Sequence, residues 1–191
     1  MERTDSELLA HFAQGREEAF EVLVRRHGPA IKAFALRLLN SRDEAEDVYA
    51  ETFLRVARAR GTWEERGTVR SWLYTIARRQ CLDVLRHRSV MHRAEQQMVE
   101  LERWRGATPS PEARVALGQE ADRLERALAR IPEEHREVLL LRVIHGLDAR
   151  EAAETLGVTE DQVHSRLSYA RKRLRDLLET DSPLHASGGA R

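Results

Sequence analysis

Leu147-Asp148-Ala149-Arg150-Glu151-Ala152-Ala153-Glu154-Thr155-Leu156-Gly157-Val158-Thr159-Glu160-Asp161-Gln162-Val163 decides the fold. It reads as two helices joined by a tight turn. Asp148 accepts from the free amides of the first helix, and Glu151 closes the box back onto it. Gly157 supplies a left-handed stop. Thr159 opens the second helix, with Gln162 three residues later. The pattern predicts a helix-turn-helix, a unit whose second helix enters the DNA major groove.

The second helix has two faces. At 100° per residue Val163, Leu167, Ala170, Leu174, Leu177 and Leu178 form one apolar stripe. Asp161, His164, Ser165, Ser168, Tyr169 and Lys172 point away from it, and most of these side chains can hydrogen-bond base edges. Arg166, Arg171, Lys172, Arg173 and Arg175 suit phosphate neutralisation. A basic helix can also be no more than a solvated face. The double capping pattern and the glycine between the helices favour the DNA reading.

Outward from this unit, 191 residues with 41% hydrophobic and 34% charged content and only 10 Gly and 5 Pro point to an all-α protein. No run of alternating β-branched residues predicts a strand. Formal net charge is zero, but the charges are segregated. Five acids (Asp43, Glu44, Glu46, Asp47 and Glu51) lie between positions 43 and 51 with no base. Seven arginines (66, 70, 78, 79, 86, 88 and 93) lie between 66 and 93 against one acid, Asp83. Such polarity implies two partners of different character.

Cys81, the only cysteine, falls on a stripe with Leu73, Ala77 and Leu85 and is expected in the core. The eight histidines are scattered without metal-ligand spacing, and no nucleotide-binding glycine loop occurs. No metal, no cofactor and no enzymatic activity are therefore expected. Without a signal-like segment or an 18-residue apolar run, a cytoplasmic protein with no membrane insertion is expected.

Residues 5–27 predict two short helices broken near Gly15, and Gly28-Pro29 is expected to restart the chain. Ser41 with Glu44 predicts a capping box for a helix that stops at Gly61. After a loop, a long helix buries Val69, Trp72, Leu73, Ile76, Ala77, Val84 and Leu85. Gly106-Ala107-Thr108-Pro109-Ser110-Pro111 reads as a linker. About ten such residues reach roughly 35 Å. The expected organisation is a helical domain over 1–105, a linker over 106–112, a helix-turn-helix domain over 113–179 and a disordered tail over 180–191. In the second domain Val115, Leu117, Ala121, Leu124 and Leu128 form one stripe, and Val138, Leu139, Leu141 and Val143 another.

Three segments together carry a family resemblance. Asp43-Glu44-Ala45-Glu46-Asp47-Val48-Tyr49-Ala50-Glu51-Thr52-Phe53-Leu54 resembles the core-polymerase-binding helix of bacterial sigma factors. Trp72-Leu73-Tyr74-Thr75-Ile76-Ala77-Arg78-Arg79, with Asp83 and Leu85-Arg86, resembles their promoter-melting and minus-ten-reading helix. Leu128-Ala129-Arg130-Ile131-Pro132 with Arg136, Gly146-Leu147 and Ser165-Arg166-Leu167 resembles their minus-thirty-five-reading domain. Two domains with a short linker match the extracytoplasmic-function group. Departures occur at Asp161, His164 and Arg79, where the family often has Gly, a base and Asn, and at Trp63 and Val69 in a loop that usually carries phenylalanines.

The resemblance implies core RNA polymerase, promoter DNA and an anti-sigma factor as partners. It places polymerase binding on Asp43, Glu44, Glu46, Asp47, Glu51 and Phe53. DNA contact falls to Trp63, Arg66, Tyr74, Arg78, Arg79, Arg86 and Arg88 in the first domain, and to His164, Ser165, Ser168, Tyr169, Arg171 and Lys172 in the second. Aromatic rings there would stack on unpaired bases while arginines hold phosphates. The competing reading is a one-component regulator that binds DNA without polymerase.

Overall fold

The computed structural model describes residues 3–63, 67–99 and 119–180, with the backbone alone at 91–99 and 119–122. The expected linker, the tail beyond 180, Arg66, Val115 and Leu117 lie outside the described residues. The described elements are helical: α1 (Asp5–Ala13), α2 (Glu17–Leu39), α3 (Arg42–Arg58), α4 (Val69–Val99), α5 (Gln119–Ala129), α6 (Glu133–Leu139), α7 (Ala149–Leu156) and α8 (Glu160–Thr180).

Thr4 and Glu7 form a reciprocal capping box that opens α1, and Gly15, at φ +96°, makes the turn into α2. That helix does not restart at Gly28-Pro29 as expected. It runs through to Leu39 with Pro29 inside. Proline removes one backbone donor, a loss the flanking turns tolerate here. Gly28 has a packing reason: a Cβ there would lie 2.9 Å from the Tyr49 ring of α3. Hence the dipeptide marks close approach of two helices rather than a break. Asn40, at φ 54°, ends α2, and Ser41 begins α3 by accepting from the Glu44 amide. The expected reciprocal bond is missing because the Glu44 carboxylate is held by Arg88 of α4 instead.

Helices α1 to α4 pack around Leu23, Ile31, Phe34, Phe53, Leu73 and Ala77, all buried. Thr68 caps α4 by accepting from the Ser71 amide at 3.0 Å. Cys81 is fully buried, and burial pushes its thiol up to about 12, which leaves it an inert core residue as expected.

Helices α5 to α8 form a second lobe. Between α6 and α7 the chain makes a π-turn over Leu140–Ile144, closed by the His145 amide donating to the Leu140 carbonyl at 2.9 Å. The wider turn adds a residue and shifts the register. Val143, expected in the core, is therefore 51% exposed, while Leu140 at the start of the turn is buried. Leu124, also expected on the buried stripe, is exposed, and Ala127 is buried beside Leu128.

The two lobes are packed together. Thr155 of α7 donates to the Ser71 carbonyl at 3.3 Å, and Thr68 donates to Glu151 at 2.8 Å. Arg37 reaches Glu125 at 3.2 Å. Phe34 and Tyr74 enclose the His145 ring, at 5.8 and 5.3 Å between centroids. Burial, with Arg37 and Arg70 nearby, lowers His145 to about 4, so this imidazole is held neutral. No described helix is long and apolar enough to cross a membrane.

Candidate functional site

The helix-turn-helix forms as its caps require. Asp148 and Glu151 make the reciprocal box, with the Glu151 amide donating to Asp148 at 2.8 Å and the Asp148 amide to Glu151 at 2.9 Å. Gly157 takes φ +69°. The Thr159 amide donates to Gln162 at 3.0 Å, and the Gln162 amide to Thr159 at 3.3 Å. Val163, Leu167, Ala170 and Leu177 are buried, and Leu174 and Leu178 pack half-buried beside them. This stripe seats α8 and turns His164, Ser165, Ser168, Tyr169, Arg171 and Lys172 outward, all exposed. A shallow groove runs past His164, Ser168, Arg171, Lys172 and Arg175. Its three cations and its hydroxyl and imidazole groups can meet phosphates and base edges.

On α4 the expected DNA residues are scattered. Tyr74 is 2% exposed, with its ring edge-on to Phe34 at 5.4 Å. Burial pushes its phenol up to about 12. This overturns its expected stacking role in the present arrangement: the ring is core. Arg78 is likewise covered. It donates twice to Glu137 of α6, at 2.9 and 3.0 Å. The Glu137 side chain is only 2% exposed. Burial raises its pKa, and the pairing with Arg78 only partly offsets that.

Arg79 and Arg86, seven residues apart and so on one helix face, are exposed, with Arg86 bonded to Asp83 at 2.9 Å. Arg88 lies nine residues from Arg79, about half a turn round the helix. It holds Glu44 and donates to the Leu39 carbonyl at 2.9 Å, so it ties α4 to α3 and does not share the Arg79 face. Trp63 is half-buried, 6.5 Å from Trp72, in an apolar groove that also includes Leu9, Phe12 and Val56.

The acidic helix α3 keeps most of its charge outside. Asp43, Glu46 and Asp47 are exposed, with Lys32 bonded to Glu46. Glu51 accepts from Arg55 at 2.8 Å, and Glu44 is taken by Arg88. Phe53 is 6% exposed and packs on Phe20 and Tyr49, which makes it structural rather than a docking residue. Its neighbour Leu54 is 49% exposed and was missed. The signal was available, since Leu54 follows Asp47 by seven residues and Glu51 by three, on one helix face. Beside this face, Val48 and Val84 line a groove between α3 and α4 rimmed by Asp47, Glu51, Asp83 and His87. Such a surface suits a partner with basic side chains around an apolar contact.

Comparison with known proteins matches these parts in the same order. The family model for sigma-70 region 2 matches residues 23–90, from within α2 to most of α4. The model for sigma-70 region 4 matches residues 121–174, which take in α6 to most of α8. The RNA polymerase sigma factor CnrH of Cupriavidus metallidurans is 32% identical over 186 residues, covering 95% of this chain and 97% of that protein. The ECF RNA polymerase sigma factor SigM of Mycobacterium tuberculosis is 33% identical over 178 residues, covering 93% and 86%. In structure, CnrH in complex with the cytosolic domain of CnrY superposes with a TM-score of 0.72 at 29% identity, over 93% of this chain and 99% of that one. The sigma factor RpoE in complex with the anti-sigma factor NepR, from Bartonella quintana, gives 0.67 at 26% identity, over 85% and 98%.

Proposed function

Since this chain belongs to the extracytoplasmic-function group of RNA polymerase sigma factors, we propose a division of its work among three surfaces. The chain is a transcription initiation factor that binds core RNA polymerase and promoter DNA. Family membership sets aside the regulator that binds DNA alone. Polymerase docks on α3 through Asp43, Glu46, Asp47 and Glu51, with Leu54 as the apolar contact. The outward face of α8 reads the upstream promoter element through His164, Ser165, Ser168 and Tyr169, while Arg171 and Lys172 hold phosphates. The downstream element falls to Arg79, Arg86 and the Trp63 side of α4. The chain binds and positions; RNA synthesis belongs to the polymerase, and the place of work is the cytoplasm.

The observation that carries this reading is α8, whose whole expected DNA face is exposed behind a doubly capped turn. By contrast, Arg78 serves DNA only after α6 leaves it. Recruiting Arg78 thus requires the lobes 1–105 and 113–179 to part, with residues 106–112 as the tether. RpoE is seen with an anti-sigma factor. An anti-sigma partner of this chain would act by holding the lobes together.

Docking is tested by Asp47→Arg with Glu51→Arg in a core-polymerase pull-down. Like-charge contact at an interface costs several kcal/mol, so binding falls at least about tenfold while circular dichroism is unchanged. Undiminished binding removes α3 as the docking helix.

A further inference from the structure

Two adjacent residues of α6 touch the recognition helix from outside its apolar stripe. Glu134 bonds to Arg166 at 3.1 Å, and the Arg166 side chain is only 26% exposed. His135 lies against Tyr169, with ring centroids 4.2 Å apart and planes tilted by 43°. Arg166 and Tyr169 are three residues apart, on neighbouring turns of one face. The His135 side chain is 19% exposed, and its Nδ1 is buried with no hydrogen-bond partner among the described residues. The nearest carboxylate oxygen, of Glu134, is 3.8 Å from Nδ1, beyond hydrogen-bond distance, so the ring meets α8 through Tyr169. Tyr169 itself stays 49% exposed, between Ser165 and Lys172 along the helix.

From this geometry we infer that His135 is a positioning residue for promoter recognition, holding the Tyr169 ring in its DNA-facing orientation before DNA arrives. The inference rests on the reading of α8 as the DNA-facing helix. An exposed tyrosine on a helix turns among rotamers, and a partner that needs one of them must order it on binding. The ring of His135 removes that freedom from one side and leaves the other edge of Tyr169 open. Arg166, counted from sequence among the phosphate-binding residues, is meanwhile held by Glu134. The start of α6 thus decides which α8 side chains are free to meet DNA and in what orientation.

The test uses holoenzyme reconstituted from the full chain and core polymerase, selecting from a library randomised in the upstream promoter element. The variants are His135→Ala, His135→Phe, Tyr169→Ala and the double His135→Ala/Tyr169→Ala, each checked by thermal melting. Ordering one side chain corresponds to roughly 2- to 10-fold in affinity. His135→Ala is expected to lose that much and to flatten preference at the same base positions as Tyr169→Ala. His135→Phe, which keeps a ring, restores both, and the double variant behaves as Tyr169→Ala alone. Should Ala unfold the lobe, His135→Gln replaces it as the ringless variant. Wild-type selection by the ringless variant, failure of Phe to rescue, or additive losses in the double variant would each overturn the inference. If Tyr169→Ala also selects like wild type, the placement of Tyr169 at DNA fails with it; if Tyr169→Ala alone shows a defect, only the positioning role falls.

Discussion

Helices α4 and α8 carry the same chemistry and use it differently. Each carries arginines and a tyrosine along with an apolar stripe. On α8 the tyrosine and Arg171 face water. On α4 the tyrosine is core, and Arg78 is paired with a buried carboxylate from the other lobe. The difference lies in what packs against them. One side of α8 seats its stripe on its own lobe, and the opposite side leaves His164, Ser165, Ser168, Arg171 and Lys172 exposed. Helix α4 is covered twice, by α2 and α3 on one side and, on the other, by α7 and by Glu137 of α6. A residue type and its helical phase therefore do not say whether a side chain is free to bind; the second layer does.

The largest effect should come from uncovering α4. Removing one partner of a buried ion pair strands the other charge, at a cost of about 3–5 kcal/mol. Glu137→Ala should destabilise the chain by that order in urea denaturation, with hydrogen exchange rising first in α4 around Arg78. Replacing both partners, with Arg78→Met and Glu137→Leu, should recover most of the stability. A shift below about 1 kcal/mol in the single variant would mean that the Arg78–Glu137 pair does not hold the lobes, and the contrast with α8 would collapse.

Acid should act on the same interface through His145. Folding lowers its pKa from 6.5 to about 4, so the folded state favours neutral imidazole. That contribution is whole above the unfolded value and is lost as pH falls through the window between 6.5 and about 4. At about 1.36 kcal/mol per unit, and discounted because the ring is only partly buried, the loss is roughly 1–3 kcal/mol. His145→Phe should remove this part of the acid sensitivity, read as urea midpoints at a series of pH values. An unchanged pH profile would show that the ring between Phe34 and Tyr74 is not the sensor.

The helix-turn-helix was legible from local patterns alone. Asp148, Glu151, Gly157, Thr159 and Gln162 act within a few residues of themselves, and the structure uses each as its type requires. What was not legible depended on distant partners. Ser41 and Glu44 look like a capping box, but Arg88, forty-four positions along, takes the Glu44 carboxylate. Gly28-Pro29 looks like a break until Tyr49 is seen filling the space beside Gly28. Val143 fails because one extra residue in the π-turn rotates everything after it. The acidic face of α3 was legible, but which of its two adjacent apolar residues is buried was not: Phe53 meets Phe20, and Leu54 is exposed.

On α8 the contrast can be sharpened by adding charge where the face is open. An arginine on the outward face can take a guanine bidentately, with about 1–3 kcal/mol of discrimination. His164→Arg and Ser168→Arg should each change the preferred upstream sequence in selection by holoenzyme, and neither should alter thermal stability by more than about 0.5 kcal/mol, because both sites are exposed. A parental preference in both variants would mean that α8 does not enter the groove by this face.

The smallest effect should come from Lys172. It is exposed, one turn beyond Ser168, and lines the groove with Arg171 and Arg175. A side chain that far along a recognition helix meets backbone more readily than bases. Lys172→Ala should therefore weaken all upstream sequences about equally and lower the salt slope of promoter binding by roughly one. If Lys172→Ala instead changes which sequence is chosen, while His164→Arg and Ser168→Arg do not, then α8 lies in the groove with its far end at the bases, and the outward face has been read in the wrong direction.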